Sequence, residues 1–217
     1  MVWIKICGIT NLEDAKAVSR LGVDAMGFVL STDSPRRVEL ETAEKIIDVL
    51  RSEENKVSMA GVFVNEEIER VLECSKILGL DYIQFSGDEE ENYMENLRGK
   101  SGNIKIIKSI RIRDKNENYN TEINEKIEKL KKYADFILFD SYRKNIYGGT
   151  GVPFNWEAVK NYGNRIPVIL SGGLDLENVK QAVDIVKPFG VDASSRLEIY
   201  PGRKDLDKVT GFVNVLK

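Results

Sequence analysis

The residues able to do chemistry gather in a few short segments. Cys7 lies in KICGIT at 5–10, Asp140 directly follows the apolar run Phe136–Phe139, and glycine-bearing loops stand at 147–151 (YGGTG), 170–174 (LSGGL) and 191–196 (VDASSR). The chain contains no histidine. Proton transfer would therefore fall to Cys, Asp, Glu, Lys or Tyr. Ser171-Gly172-Gly173 and Ser194-Ser195 offer backbone amides and hydroxyls of the kind that cradle a phosphate dianion, with glycine allowing close approach of the backbone. Gly148-Gly149-Thr150-Gly151 is placed to close over the same ligand. Each feature also has a plain alternative. Cys7 also reads as a small core thiol, though its place at a strand mouth before Gly8 favours the site, Asp140 as a turn cap, the glycines as tight turns, and Arg36 and Arg37, taken alone, as solvated arginines. Cys74, among Val71, Leu72 and Leu78, reads as core.

Eight apolar β-type runs must position these groups: Val2–Cys7, Ala25–Leu30, Ser58–Val64, Tyr82–Phe85, Ile104–Ile110, Phe136–Phe139, Pro167–Leu170 and Gly190–Ala193. Between them lie stretches of helical period, with Leu12, Ala15, Val18 and Leu21 on one face and Ala43, Ile46, Ile47 and Leu50 on another. Asn11 and Asn65 look like helix N-caps followed by acids in the first turn. Runs beginning 22 to 33 residues apart are spaced as strand–helix units. The pattern predicts one domain over residues 1–217, a (β/α)8 barrel, with a doubly wound open sheet as the alternative. Arg111–Asn120 reads as an exposed loop after the fifth strand. On the barrel reading Cys7, Asp140, Gly172, Gly173 and Asp192 to Ser195 all fall at strand C-terminal ends, the face on which barrel active sites are built.

Composition narrows the partners. A net charge of −3 with Lys and Arg dispersed among the acids leaves no basic block for nucleic acid and no basic amphipathic face for a membrane. The apolar runs are far too short to span a bilayer, and the N-terminal residues lack the layout of a secretory signal. A cytoplasmic protein acting on a small molecule is expected. Two cysteines make neither a disulfide framework nor a zinc site. No metal or cofactor is expected.

Over essentially its whole length the sequence resembles the phosphoribosylanthranilate isomerase family of tryptophan biosynthesis. The resemblance rests on KICGIT-N-EDA at 5–15, SPRRV at 34–38, GVFVNE at 61–66, LDYIQFSGDE at 80–89, FDSY at 139–142, YGGTGVPFNW at 147–156, LSGGLDLENV at 170–179, VDASSRLE at 191–198 and PGRKD at 201–205. It implies an Amadori rearrangement of N-(5-phosphoribosyl)anthranilate, with Cys7 as general base and Asp140 as general acid. It further implies Arg36, not Arg37, on the anthranilate carboxylate, Asp192 on the sugar, and Gly172, Gly173, Ser194 and Ser195 around the phosphate, in a monomer or homodimer. Two positions depart from the family pattern: Ser86 stands where histidine is usual and Arg196 where glycine is expected. A thiol base would need a local positive charge, and Lys5 shares the strand face of Cys7. The competing readings are another phosphate-binding barrel, such as the aminoaldose isomerase of histidine synthesis, and a barrel that binds phosphate ligands without turnover.

Overall fold

In the computed structural model, which describes residues 1–53, 56–112, 119–141 and 154–217, every apolar run becomes a strand of one parallel sheet. The strands are β1 (Trp3–Cys7), β2 (Ala25–Val29), β3 (Ser58–Phe63), β4 (Tyr82–Phe85), β5 (Lys105–Ile112), β6 (Phe136–Ser141), β7 (Val168–Leu170) and β8 (Gly190–Ala193). They pair in sequence order, and β8 returns to β1 through Trp3↔Gly190 and Lys5↔Asp192. That last pairing closes the sheet, so the architecture is the barrel and not the open doubly wound sheet. The helices are α1 (Leu12–Arg20), α2 (Leu40–Ser52), α3 (Ile68–Leu78), α4 (Glu91–Arg98), α5 (Tyr119–Leu130), α6 (Val179–Val186) and α7 (Leu206–Leu216). After β8 a short hairpin intervenes, made of β9 (Glu198–Tyr200) and β10 (Arg203–Lys204).

Local chemistry explains most boundaries. Asn11 caps α1 by accepting from the Asp14 amide at 2.8 Å, and Glu13 and Asp14 occupy the first turn. Ala43, Ile46, Ile47 and Leu50 form the buried stripe of α2. Asn65 is not a cap. It adopts φ 49° and its side chain accepts from the Asp88 amide at 2.7 Å, so the helix starts only at Ile68. The exposed loop expected at Arg111–Asn120 is shorter than that span. Arg111 and Ile112 continue β5 by pairing with Asp140 and Ser141, and α5 begins at Tyr119. Residues 113–118 lie outside the described residues.

Strand period and register together sort the barrel interior into layers. Alternate residues of a strand share a face, and the register aligns Lys5 with Ala25 and Asp192, Gln84 with Ile107, and Ser109 with Leu138. Trp3 of β1 stacks against Tyr82 of β4 (5.5 Å between ring centres), and Tyr82 against Phe136 of β6 (6.1 Å). Side chains from strands that are not neighbours meet only across the lumen, so this face points inward. The aromatic residues, with Ile107, Leu138 and Ile169 above them, fill the N-terminal end. Following the same face toward the strand C-termini gives Lys5, Cys7, Gln84, Ser109, Asp140 and Asp192. The lumen therefore changes from apolar at its floor to polar at its mouth.

Candidate active site at the barrel mouth

Cys7 stands at the end of β1, beside Val29 and Val62, and its thiol is buried. Space for it comes from the neighbouring strand: a Cβ on Gly27 would lie 2.7 Å from Sγ. Lys5, one inward position below, is fully buried. Its Nζ lies 2.7 Å from Asp192 Oδ1, a buried ion pair. Burial opposes the charge on Lys5, yet Asp192 and Cys7 outweigh it and hold the ammonium above its usual range. Burial pushes the Cys7 thiol up, as does Asp192, while Lys5 and Lys204 pull it down; the net shift is upward. Lys5 therefore moderates the thiol without making it a standing thiolate. Asp192 is also raised, by burial first, against the pull of Lys5.

Asp140 projects into the mouth from β6. Its Oδ1 accepts from the Ser141 amide at 2.7 Å. Burial, reinforced by Asp192 and opposed by the Ser141 amide and Lys5, raises the carboxyl to about 6. Between Asp140 and Cys7 lie only β7 and β8, whose following loops carry the predicted phosphate residues. Gly172 and Gly173 hold φ of 87° and 69°, and a Cβ on Gly172 would come 2.7 Å from the Ser141 nitrogen. Only glycine meets both requirements there. Asp140, Ser171, Gly172, Gly173, Asp192, Ser194, Ser195 and Arg196 line a common small cavity that is partly open to solvent. The buried Ser194 Oγ and Gln84 Oε1 have no hydrogen-bond partner among the described residues.

Arg36 reaches the same rim. A Cβ on Gly8, which has φ 79°, would meet both Arg36 Cδ and Ser194 Oγ at 2.9 Å. The guanidinium is engaged by Glu198, with Nε donating to both carboxylate oxygens (2.9 and 3.0 Å) and Nη2 to Oε2 at 2.7 Å. Arg37 instead lies on the exposed surface, 3.5 Å from Glu39. Arg196 has a half-exposed side chain with Asp175 3.8 Å away. Ser86 accepts from Gln84 Nε2 at 3.2 Å. Cys74 is buried in α3, as the sequence suggested. Gly148, Gly149, Thr150 and Gly151 lie outside the described residues. A larger cleft of about 580 Å3 opens between α4 and α5. Its buried cation, Lys108, is already taken by Glu89 at 2.7 Å and the Gly87 carbonyl at 2.9 Å.

Comparison with known proteins gives the family. The family model for N-(5'phosphoribosyl)anthranilate (PRA) isomerase matches residues 4–215. The chain belongs to that family. It is accordingly an isomerase of tryptophan biosynthesis. A Rubrobacter xylanophilus protein named N-(5'-phosphoribosyl)anthranilate isomerase is 40% identical over the full length of both chains. One from Caldanaerobacter subterraneus is 41% identical, covering 100% of this chain and 98% of its own. Among solved structures, the Thermotoga maritima enzyme superposes with a TM-score of 0.83 at 35% identity, covering 99% of this chain and 98% of that one. A second structure, of the isomerase in complex with reduced 1-(o-carboxyphenylamino)-1-deoxyribulose 5-phosphate, gives 0.82 at 35% identity, covering 99% and 97%. Sequence reasoning did not identify Gly27, Glu198 or Lys204 at the site. Gly27 had a readable signal, a glycine inside an otherwise apolar strand.

Proposed function

We propose that Asp140 is the general acid and Cys7 the general base of the rearrangement of N-(5'-phosphoribosyl)anthranilate, carried out by one catalytic domain over residues 1–217. The observation that carries this reading is a buried carboxyl raised to about 6 that shares one cavity with Gly172, Gly173, Ser194 and Ser195, on the same inward face of the barrel mouth as Cys7. Asp140 gives its proton to the furanose ring oxygen as the C1′–O bond breaks, and the anthranilate nitrogen supplies the electron pair that makes the iminium. Cys7 then takes the C2′ proton, the pair left behind neutralises the iminium, and the resulting enolamine relaxes to the ketone. The step is redox-neutral overall, C2′ being oxidised to the ketone as C1′ is reduced, so it calls on no external oxidant or reductant. Because Cys7 rests as a thiol and Asp140 as a carboxylate, the reacting form is the one with the proton moved from Cys7 to Asp140, and Lys5 beside the thiolate assists that form.

Binding follows from the same rim. Backbone groups of Gly172 and Gly173 with Ser194 and Ser195 take the phosphate, and Asp192 the sugar hydroxyls. Arg36 takes the anthranilate carboxylate. Glu198 occupies the Nε side of its guanidinium, and a guanidinium has five N–H donors, so the Nη1/Nη2 edge can fork onto a second carboxylate. All these residues come from one chain, so a monomer and a homodimer would both carry complete sites. Among the described residues no helix is long and apolar enough to cross a membrane, and a base that must stay a free thiol suits the reducing cytoplasm.

Loss of anthranilate fluorescence on mixing with fresh phosphoribosylanthranilate measures turnover. Cys7→Ser and Cys7→Ala should each lower kcat by roughly 10²–10⁴-fold with circular dichroism unchanged. Turnover within threefold of the parent in both variants would make Cys7 a core thiol and reject the assignment.

A further inference from the structure

The hairpin after β8 reaches back to the loops that follow β1 and β2. Thr10 Oγ1 donates to the Gly202 carbonyl at 2.5 Å, and the Lys204 amide donates to Asp14 at 2.7 Å. Glu198 is the hairpin's buried centre. Its side chain is 2% exposed and that of Lys204 0%, values at which an unpaired charge would be very costly. The two are 2.9 Å apart, and Lys204 Nζ also donates to the Cys7 carbonyl at 2.6 Å. Burial opposes ionisation of Glu198, but Arg36 and Lys204 together overcome it and keep the carboxyl below its usual range. A continuous polar chain therefore runs from the end of β1 through Lys204 and Glu198 to Arg36.

We propose that Glu198, anchored by Lys204, is a positioning residue that aims the free edge of the Arg36 guanidinium into the barrel mouth. The proposal rests on the reading of Arg36 as the carboxylate ligand. A long arginine with mobile torsions gains most from a partner that fixes it before substrate arrives. Glu198 engages Nε and Nη2 of the guanidinium with three contacts, and Nη1 donates to none of the described residues, which is the arrangement such a role requires. A charge pair needed only for stability would not have to select those two nitrogens.

The test compares Glu198→Gln, Arg36→Ala and the double variant by steady-state kinetics and by inhibition with inorganic phosphate. Glu198→Gln should raise KM roughly tenfold, as expected for weakening one charge-assisted fork, with kcat and phosphate inhibition nearly unchanged. The double variant should show a KM no higher than Arg36→Ala alone, because Glu198 acts through Arg36. An unchanged KM in Glu198→Gln, or effects that simply multiply in the double variant, would overturn the proposal while leaving the Arg36 reading intact. An unchanged KM in Arg36→Ala would instead sink the carboxylate reading itself. Should Glu198→Gln fail to fold, Glu198→Asp, which keeps the charge and withdraws it by one methylene, supplies the same comparison.

Discussion

Asp140 is held where its charged form is disfavoured, and the chain bears that cost at neutral pH. A carboxyl raised to about 6 by burial binds its proton more tightly folded than unfolded. The associated stability is complete below the unfolded pKa and is lost as pH rises through the folded one. Asp140→Asn can still accept from the Ser141 amide but cannot ionise or donate the acid proton. It should nearly abolish turnover, leave KM within a few-fold, and raise unfolding free energy at pH 7.5 by about 2–3 kcal/mol. That gain should vanish near pH 4, in urea titrations at the two pH values. Equal stability at pH 7.5, or near-parental turnover, would contradict the account. The same energetics give the resting site an ionised Asp140 and a protonated Cys7 at neutral pH. On the proposed roles the reactive pair is the opposite one, a minority state at every pH, so turnover should fall below the Asp140 titration and again above that of Cys7.

The strands separate stability from chemistry along the barrel axis. A methyl added at Gly27 would crowd Cys7 Sγ at the mouth, whereas Trp3, Tyr82 and Phe136 fill the floor. Gly27→Ala should therefore lower turnover at least tenfold while costing about 1–2 kcal/mol of stability. Trp3→Ala should cost about 3 kcal/mol and leave kcat near the parental value. Urea midpoints and steady-state rates on both variants check this, and the reverse pattern would overturn the layering. These strands were legible because a parallel strand covered on both faces is nearly continuous apolar sequence, and the observed ends fall within two residues of those read from the chain. Two boundaries were not legible. Nothing local in Asn65-Glu66-Glu67 announces that the asparagine side chain is claimed by Asp88, and β5 runs on through Arg111 because pairing with Asp140 requires backbone groups, not apolar side chains. The candidate site was readable where residues lie at strand ends, as with the positions of Cys7, Asp140 and Asp192. Glu198 and Lys204 were not, since charged residues ordinarily read as solvated, and the burial of these two follows from partners such as Arg36 and Cys7 that are far away in sequence.

At the scale of the whole molecule, the groups of the candidate site exist as a set only once the sheet has closed. Lys5 meets Asp192, and Arg36 meets Glu198, across separations of more than 160 residues. Trp3 belongs to the same event. Its ring lies 5.5 Å from Tyr82 and 6.0 Å from Phe189, and a Cβ on Gly190 would be 2.6 Å from its Cε3. The indole thus bears a built-in clock for refolding. Contacts this distant in sequence form late, after loop-closure entropy has been met. With Trp156→Phe removing the second indole, Trp3 emission in stopped-flow refolding should reach its native value after the bulk of far-ultraviolet dichroism has returned, and together with the regain of isomerase activity. Native emission appearing with the earliest helical signal would mean that the floor assembles before the barrel is shut.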